Sequence, residues 1–468
     1  MLSRLRRPLL AAVLAGVTAM PAMAESLADA MVSAYRHSSL LDQNRAVLRA
    51  ADEDVASAMA ALRPVVQWVA SYNWIDRNPG TANTRIESSS LALQAQVTLY
   101  DFGRSQLAID IAKETVLATR QALVNIEQNV LLQSVAAYLN VRSATEQVAL
   151  QNNSVRVISQ EQKAAQDRFD VGEITRTDVS LADARLAATR AGLAAAEGQL
   201  AVARESYVAA TGKKPGKLSA PPPLPKLPKS VDEARAIAQR THPAIKQVQR
   251  QAAAAELGVA LAAAQRNPTI TGNAQAQTQR APSQNPFDQG ARITTDSITL
   301  GVQASQTLYS GGRLPAAHRK AMAQRDSVRA GLLSASRQVS EQVGTAWANI
   351  DVARAQIRAI DQQISAAEQA YNGVREEATL GARTTLDVLD AEQSLLSARA
   401  DKISAQANLQ LAHYQLLAAM GLLTVEHLKL GIQTYDPSAY YNAVKDAPYT
   451  SRQGESLDRV LRAIGKGN

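Results

Sequence analysis

Leu99-Tyr100-Asp101-Phe102-Gly103-Arg104 returns 209 residues later as Leu308-Tyr309-Ser310-Gly311-Gly312-Arg313. The segment 171–179, Val-Gly-Glu-Ile-Thr-Arg-Thr-Asp-Val, returns at the same offset as 380–388, Leu-Gly-Ala-Arg-Thr-Thr-Leu-Asp-Val. Earlier in each copy the offset is 204, pairing Ser26 with Ser230, Arg36 with Arg240 and Pro64 with Pro268. One structural unit is therefore used twice, so each element can be read against its twin.

Just before each Gly-Arg lie two segments that alternate with period two. In 66–74, Val66, Trp68, Ala70, Tyr72 and Trp74 share one face and Gln67, Ser71 and Asn73 the other. In 89–99, Leu91, Leu93, Ala95, Val97 and Leu99 oppose Ser90, Gln94, Gln96 and Thr98. The second copy repeats this with Ile270, Gly272, Ala274 and Ala276, then with Ile298, Leu300, Val302 and Ala304. Such alternation is the mark of transmembrane β-barrel strands with a wet inner face, or of half-buried soluble hairpins. The offset grows from 204 to 209 across the loops 77–87 and 281–296, as expected where hairpin tips meet solvent. Four strands cannot close a barrel, and an open edge in lipid leaves backbone groups unpaired. Two chains would give eight strands and a filled interior, whereas three would give twelve and a pore. A trimer is the expected assembly.

Each copy opens with helical stretches, 27–62 and 231–266, that stop at Pro64 and Pro268. After each Gly-Arg comes a helical tract of about 65 residues, which at about 1.5 Å per residue approaches 100 Å. These tracts end at Val171-Gly172 and Leu380-Gly381, and shorter helices return. The return helices carry heptads: Val179, Leu186, Leu193, Leu200 and Tyr207, with Ala182, Thr189, Ala196, Ala203 and Ala210 three positions on. The second copy reads Val388, Leu395, Lys402, Leu409 and Leu416, with Ala391, Ala398, Ala405, Ala412 and Ala419. One small seam position per heptad permits close coiled-coil approach, and Lys402 interrupts the apolar row.

Composition and targeting agree with this layout. Arg4, Arg6 and Arg7 precede an apolar run and Ala22-Met23-Ala24, which reads as a secretory signal over 1–24. No cysteine is present, so neither disulfides nor an N-terminal lipid on cysteine is expected. Without the leader arginines, 47 basic residues face 42 acidic ones, a balance too thin for a nucleic-acid partner. Aromatics make up only 4% of the chain, which favours helices packed through small side chains over an ordinary globular core. The expected organisation is a first repeat over 25–212, a Pro-rich tether over 213–229, a second repeat over 230–421 and a polar, partly disordered segment over 422–468, loosest after about Gln433.

A secreted duplicate of helix, strand pair, very long helix, glycine turn and heptad return helix resembles the TolC-like outer membrane factor family. The residues carrying the resemblance are 99–104, 308–313 and Gly381 through Ala391 (Gly-Ala-Arg-Thr-Thr-Leu-Asp-Val-Leu-Asp-Ala), and it covers nearly the whole mature chain. It implies a mixed α/β membrane protein: a trimer sharing a twelve-stranded barrel in the outer membrane, with long antiparallel helices forming a coiled-coil tunnel in the periplasm. Its implied role is a gated, passive exit duct for efflux or type I secretion, served by a periplasmic adaptor and an inner-membrane pump of RND or ABC type.

The resemblance also implies roles for residues. Asp387 and Asp390 match aspartates that ring the narrow periplasmic entrance, and Arg383 and Asp178 match a pair that holds it shut. A tyrosine of that network is replaced by Ala378. Three chains would bring six carboxylates to one axis, favouring cations. Helix capping is the alternative for Asp178 and Asp387, since Thr175 and Thr384 stand three residues before them. Val171, Gly172, Leu380 and Gly381 form the tips that would meet the adaptor, or glycines that simply permit the turn. Gly103, Arg104, Gly312 and Arg313 mark the junction of strands and helices. Trp68 and Trp74 suit a membrane-interface girdle or core packing.

His37, His242, His318, His413 and His427 lack metal-ligand spacing, so neither a metal nor a cofactor is expected. No P-loop, nucleophile elbow or CxxC occurs, and no enzyme is expected. The competing readings are a periplasmic adaptor, which should carry one helical hairpin between β-rich halves, and a structural coiled-coil protein of the envelope, which should have no membrane strands.

Overall fold

The computed structural model describes residues 24–77, 84–283, 287, 291–446 and 459. The leader expected over 1–24 therefore lies outside the described residues except for Ala24. So do 78–83 and most of 284–290, where the offset between copies changes.

Both copies lay down the same elements. The first has α1 (Leu27–His37), α2 (Ser39–Ala60), β1 (Val65–Arg77), β2 (Thr84–Tyr100), α3 (Arg104–Asp170) and α4 (Arg176–Thr211). The second has α5 (Val231–Thr241), α6 (Pro243–Ala264), β3 (Thr269–Pro282), β4 (Arg292–Ser305), α7 (Arg313–Thr379) and α8 (Thr385–Ala419), followed by α9 (Pro437–Val444). The opening stretch of each copy is two helices rather than one. Ser38 is extended and its side chain accepts from the Leu41 amide, while His242 is extended before Pro243 and caps α6. A proline at the first helical position disfavours helical geometry in the residue before it, so the chain must break there.

The four strands form one antiparallel sheet in the order β1-β2-β3-β4, so the two copies are joined through β2 and β3. Register aligns the alternation across all four strands. Trp68, Leu93, Ala276 and Ile298 form one row, and Gln67, Gln94, Gln275 and Thr299 the adjacent row on the other face. The apolar row is exposed: Trp68 at 72%, Leu93 at 55% and Ile298 at 81%. On the polar face Gln67 Nε2 donates to Gln94 Oε1 at 3.2 Å, and the Ser71 and Ser90 hydroxyls lie 2.8 Å apart. A soluble sheet buries its apolar face; in this chain that face is left exposed.

Each long helix has 67 residues, about 100 Å at 1.5 Å per residue. Each pairs with its return helix, α3 with α4 and α7 with α8; in addition α3 lies against α2 and α6, and α7 against α6. The heptad seams face inward: Val179, Ala182, Leu186, Leu200, Ala203 and Tyr207 of α4 are buried, as are Val388, Leu395, Ala398, Ala405, Ala412 and Leu416 of α8. Lys402, the break in the row, pairs with Asp361 of α7 at 2.8 Å. The main core lies midway along the helices, where α1, α5 and the 420–432 segment pack around Val135, Tyr138, Val343 and Leu416.

Two segments are better held than the sequence suggested. The proline-rich 213–229 stretch is extended, but it is a strap rather than a loose tether. Tyr138 Oη and Arg142 Nη1 donate to the Ser219 carbonyl at 2.8 and 2.7 Å, and Glu25 forms a bridge to Leu218. The expectation of a loose tail from about Gln433 fails over 433–446. Tyr435 and Tyr441 pack on Leu48, Val55 and Val116, α9 lies on α2, and Arg63 donates to the Asp446 carbonyl. Its tyrosines bury ring area despite the segment's polar composition. The remainder of the expected disordered tail, 447–458 and 460–468, lies outside the described residues.

The fully buried Ala182 gives a test of the close seam. Ala182→Leu should destabilise the α3–α4 hairpin by about 1–3 kcal/mol through overpacking, read as a lower urea midpoint by circular dichroism. The same substitution at exposed Ala187 should leave it unchanged.

Candidate functional site

The tips of the two hairpins are built alike. After α3, Val171 and Gly172 turn the chain, with Gly172 at φ 81°; after α7, Leu380 and Gly381 do the same at φ 79°. The Gly172 amide donates to the Phe169 carbonyl and the Gly381 amide to the Ala378 carbonyl. A side chain at either glycine would be strained by that backbone, although the space around both is open. Val171 and Leu380 stand 72% and 85% exposed, leaving two apolar side chains at one end of the molecule.

Each return helix then starts with a capping box. The Thr175 amide and hydroxyl donate to Asp178 Oδ2 at 2.9 and 2.7 Å, and the Asp178 amide donates back to Thr175 Oγ1 at 3.4 Å. Thr384 and Asp387 repeat this at 3.0, 2.8 and 3.3 Å. The Thr175 hydroxyl and amide hold the Asp178 carboxyl below the usual range, and the Thr384 amide and hydroxyl do the same for Asp387. The capping alternative is therefore realised for both aspartates.

Beyond the boxes the copies diverge. Arg383 Nε lies 2.8 Å from Glu377 Oε2, and the Glu377 carboxylate, with Asp387 behind it, favours the charged guanidinium. Within one chain Arg383 thus pairs with Glu377, and Asp178 with Thr175; the two are not brought together. In the first copy Arg168 pairs with Glu173 at 3.2 Å, and Arg176 lies over the Phe169 ring at 5.8 Å. Asp390 stands where the first copy has Leu181. It meets Arg185 of α4 at 3.0 Å, and the same guanidinium group donates to the Leu389 carbonyl at 3.2 Å. Asp390 remains exposed. Arg185 and Glu377 were not singled out from the sequence. The only signal was indirect: each lies within one or two turns of a residue that was.

Ala378, where the resemblance implies a tyrosine, is buried, and no phenol stands there. Two turns earlier on α7, Tyr371 lies beside Ser154 and Glu392. Among the described residues no group of three or more His, Cys, Asp and Glu is placed to hold a metal. His242 accepts from the Ala244 amide at 3.2 Å, and burial lowers its pKa.

At the other end, Gly103 (φ 84°) and Gly312 (φ 87°) start α3 and α7. Asp101 accepts from the Ser105 amide at 2.7 Å and Arg104 Nη2 donates to the Asn267 carbonyl at 3.0 Å, tying the strand end to the second copy. Phe102 itself is left-handed at φ 55°, and Gly311 takes that position in the second copy at φ 60°. Trp68 and Trp74 are both exposed on β1.

Comparison with known proteins matches the model of the "Outer membrane efflux protein" family over residues 31–213 and 235–422, one segment for each copy. The chain is 33% identical to the outer membrane efflux protein BepC of Brucella suis over 430 residues, 92% of each chain. It is 26% identical to the alkaline protease secretion protein AprF of Pseudomonas aeruginosa over 350 residues, 73% of this chain and 71% of that one. Its fold superposes on the outer membrane protein VceC of Vibrio cholerae with a TM-score of 0.70 at 22% identity, covering 84% of this chain and 96% of that one.

The capping boxes make a prediction with a defined sign. Both carboxyls titrate below the ordinary aspartate value of about 3.9, so the caps persist above that value and are lost as pH falls through the lowered one. Thr384→Val should speed hydrogen exchange at the Asp387 amide and move its acid limb upward, leaving the first turn of α4 unchanged.

Proposed function

The chain belongs to the outer membrane efflux protein family, and from that premise we propose that three copies form a gated, passive duct from periplasm to exterior. It is a transport protein of the outer membrane and not an enzyme. The observation that carries the proposal is the four-stranded sheet with an exposed apolar row, continuous with helices of about 100 Å. In lipid the outer edges of β1 and β4 need partners. Three sheets joined edge to edge would give twelve strands, with the glutamine and serine row toward a water-filled interior. Trp68 and Trp74 would then lie at the membrane interface.

The sequence carries no P-loop, and partners would supply the energy for transport. We infer a periplasmic adaptor and an inner-membrane pump of RND or ABC type, with Val171, Gly172, Leu380 and Gly381 as the apolar tips that dock the adaptor. Relatives named for efflux and for protease secretion support both kinds of cargo.

The gate is assigned to the same end. Asp387 and Asp390 from three chains would place six carboxylates around the entrance and favour cations. Arg383 and Asp178 would hold neighbouring hairpins together, the arginine exchanging Glu377 for the aspartate across a contact between hairpins in the assembly. The capping role of Asp178 and Asp387 is compatible with this, because a capping carboxylate keeps one oxygen free.

Reconstituted in planar bilayers, the protein should form discrete cation-selective channels and sediment in detergent as a trimer. Absence of channels, or a monomeric rod extracted without detergent, would refute the duct. Alanine at both Arg383 and Asp178 should raise single-channel conductance several-fold. Alanine at both Asp387 and Asp390 should weaken cation selectivity and block by a trivalent cation.

A further inference from the structure

The two hairpins of one chain meet chiefly through α3 and α8. Within each hairpin the seam is mostly alanine and leucine; between the hairpins polar contacts recur. Gln147 Nε2 donates to the Ala400 carbonyl at 2.9 Å, Arg185 bridges to Leu389 and Asp390, and Arg375 of α7 lies 3.5 Å from Glu161 of α3. Among these contacts is a buried carboxylate. Glu392 of α8 is only 8% exposed, and Ser154 Oγ of α3 donates to its Oε1 at 2.9 Å. It borders a cavity of about 50 Å³ shared with Val157, Tyr371, Leu395 and Arg399.

The charges around Glu392 come from every helix packed there. Arg185 of α4 and Arg399 of α8 favour its ionised form, and Glu161 of α3 opposes it. Tyr371 of α7 is itself kept neutral by burial, and Arg375 is engaged with Glu161. Burial is the largest influence and pushes the Glu392 carboxyl above the usual glutamate range, with Ser154 pulling it partly back. A buried carboxylate with one hydroxyl donor and no ion pair in contact is costly while ionised.

We propose that Glu392 is a positioning residue that sets how tightly α8, the helix bearing Asp387 and Asp390, lies against α3, and that it makes separation of the two hairpins proton-dependent. The proposal rests on the reading of α8 as the gate-bearing helix. Separating the hairpins would bring water to Glu392 and return its carboxyl to the ordinary value. The packed arrangement therefore binds the proton more tightly, so acid favours packing and deprotonation favours separation. The extra stability of the packed state is full below the ordinary value of about 4.3 and is lost as pH rises through the raised one.

The chain has no cysteine, so one introduced thiol reports cleanly on the seam. The full-length protein carrying Val157→Cys is alkylated with a water-soluble maleimide between about pH 4.5 and 8, a range starting near the ordinary glutamate value. Each rate is divided by that of the exposed Asn152→Cys, to remove the thiol's own titration. The normalised rate should rise several-fold with pH in the parent and stay low and flat with Glu392→Gln, which keeps a hydrogen-bonding partner for Ser154. Ser154→Ala, which removes the bond favouring the charged form, should move the midpoint to higher pH. A profile unchanged by Glu392→Gln, or a midpoint unmoved by Ser154→Ala, overturns the proposal; if Glu392→Gln fails to fold, Ser154→Ala alone decides. Bilayer conductance of the same variants separates the two readings. Conductance that ignores pH while alkylation follows Glu392 removes the gate from α8 and leaves the hairpin contact standing.

Discussion

The two outer strands of the sheet end in backbone groups with no strand beside them among the described residues. That constraint organises the rest of the molecule. An apolar face turned outward is stable in lipid, and lipid offers no hydrogen bonds, so an edge there must be closed by another chain. On the trimeric reading the same requirement sets the helices: each protomer must contribute a complete sector of wall, built from the packed helices of both copies. The repeat makes this possible with one fold unit, since β2 and β3 pair across the boundary between copies.

The wall and the sheet use the repeat conservatively. Both copies place a left-handed glycine at the start and end of the long helix, a Thr–Asp box at the start of the return helix, and alanine at the close-packed seam. Where the copies differ, charge is what changes. Ile174 in one tip becomes Arg383 in the other, Arg168 becomes the Glu377 on which it sits, and Leu181 becomes Asp390 on Arg185. A scaffold of near-identical hairpins thus carries an electrostatically asymmetric end.

The polar contacts between hairpins fit the same division. Close apolar packing gives rigidity inside a hairpin, because any separation exposes alanine and leucine to water. A hydroxyl–carboxylate pair and an arginine bridge exchange readily for water and cost less to break. The seam between the hairpins joins such polar contacts to an apolar cluster in which Leu389 of α8 packs on Ile158 and Ala182.

Much of this was legible in the residues. Period-two alternation located all four strands, though each runs beyond the predicted limits because hydrogen-bonded register continues past the last clear alternation. Heptads located the return helices, and paired Thr and Asp residues located their caps, since these are local patterns within a few residues of one another. The breaks at Ser38 and His242 carry local signals too, a capping serine and a proline at the first helical position, which the single helical stretches 27–62 and 231–266 pass over. What the sequence determined by itself was the repeated unit, its elements and its punctuation. Only the tertiary structure decided that the proline-rich segment is a strap, that the tail through Asp446 is docked, that Lys402 answers Asp361, and that Arg383 meets Glu377 within one chain. It alone placed Glu392 beside Ser154, a pair 238 positions apart. Such contacts depend on which helix faces meet, and that is set by the packing of the whole chain, not by spacing along it.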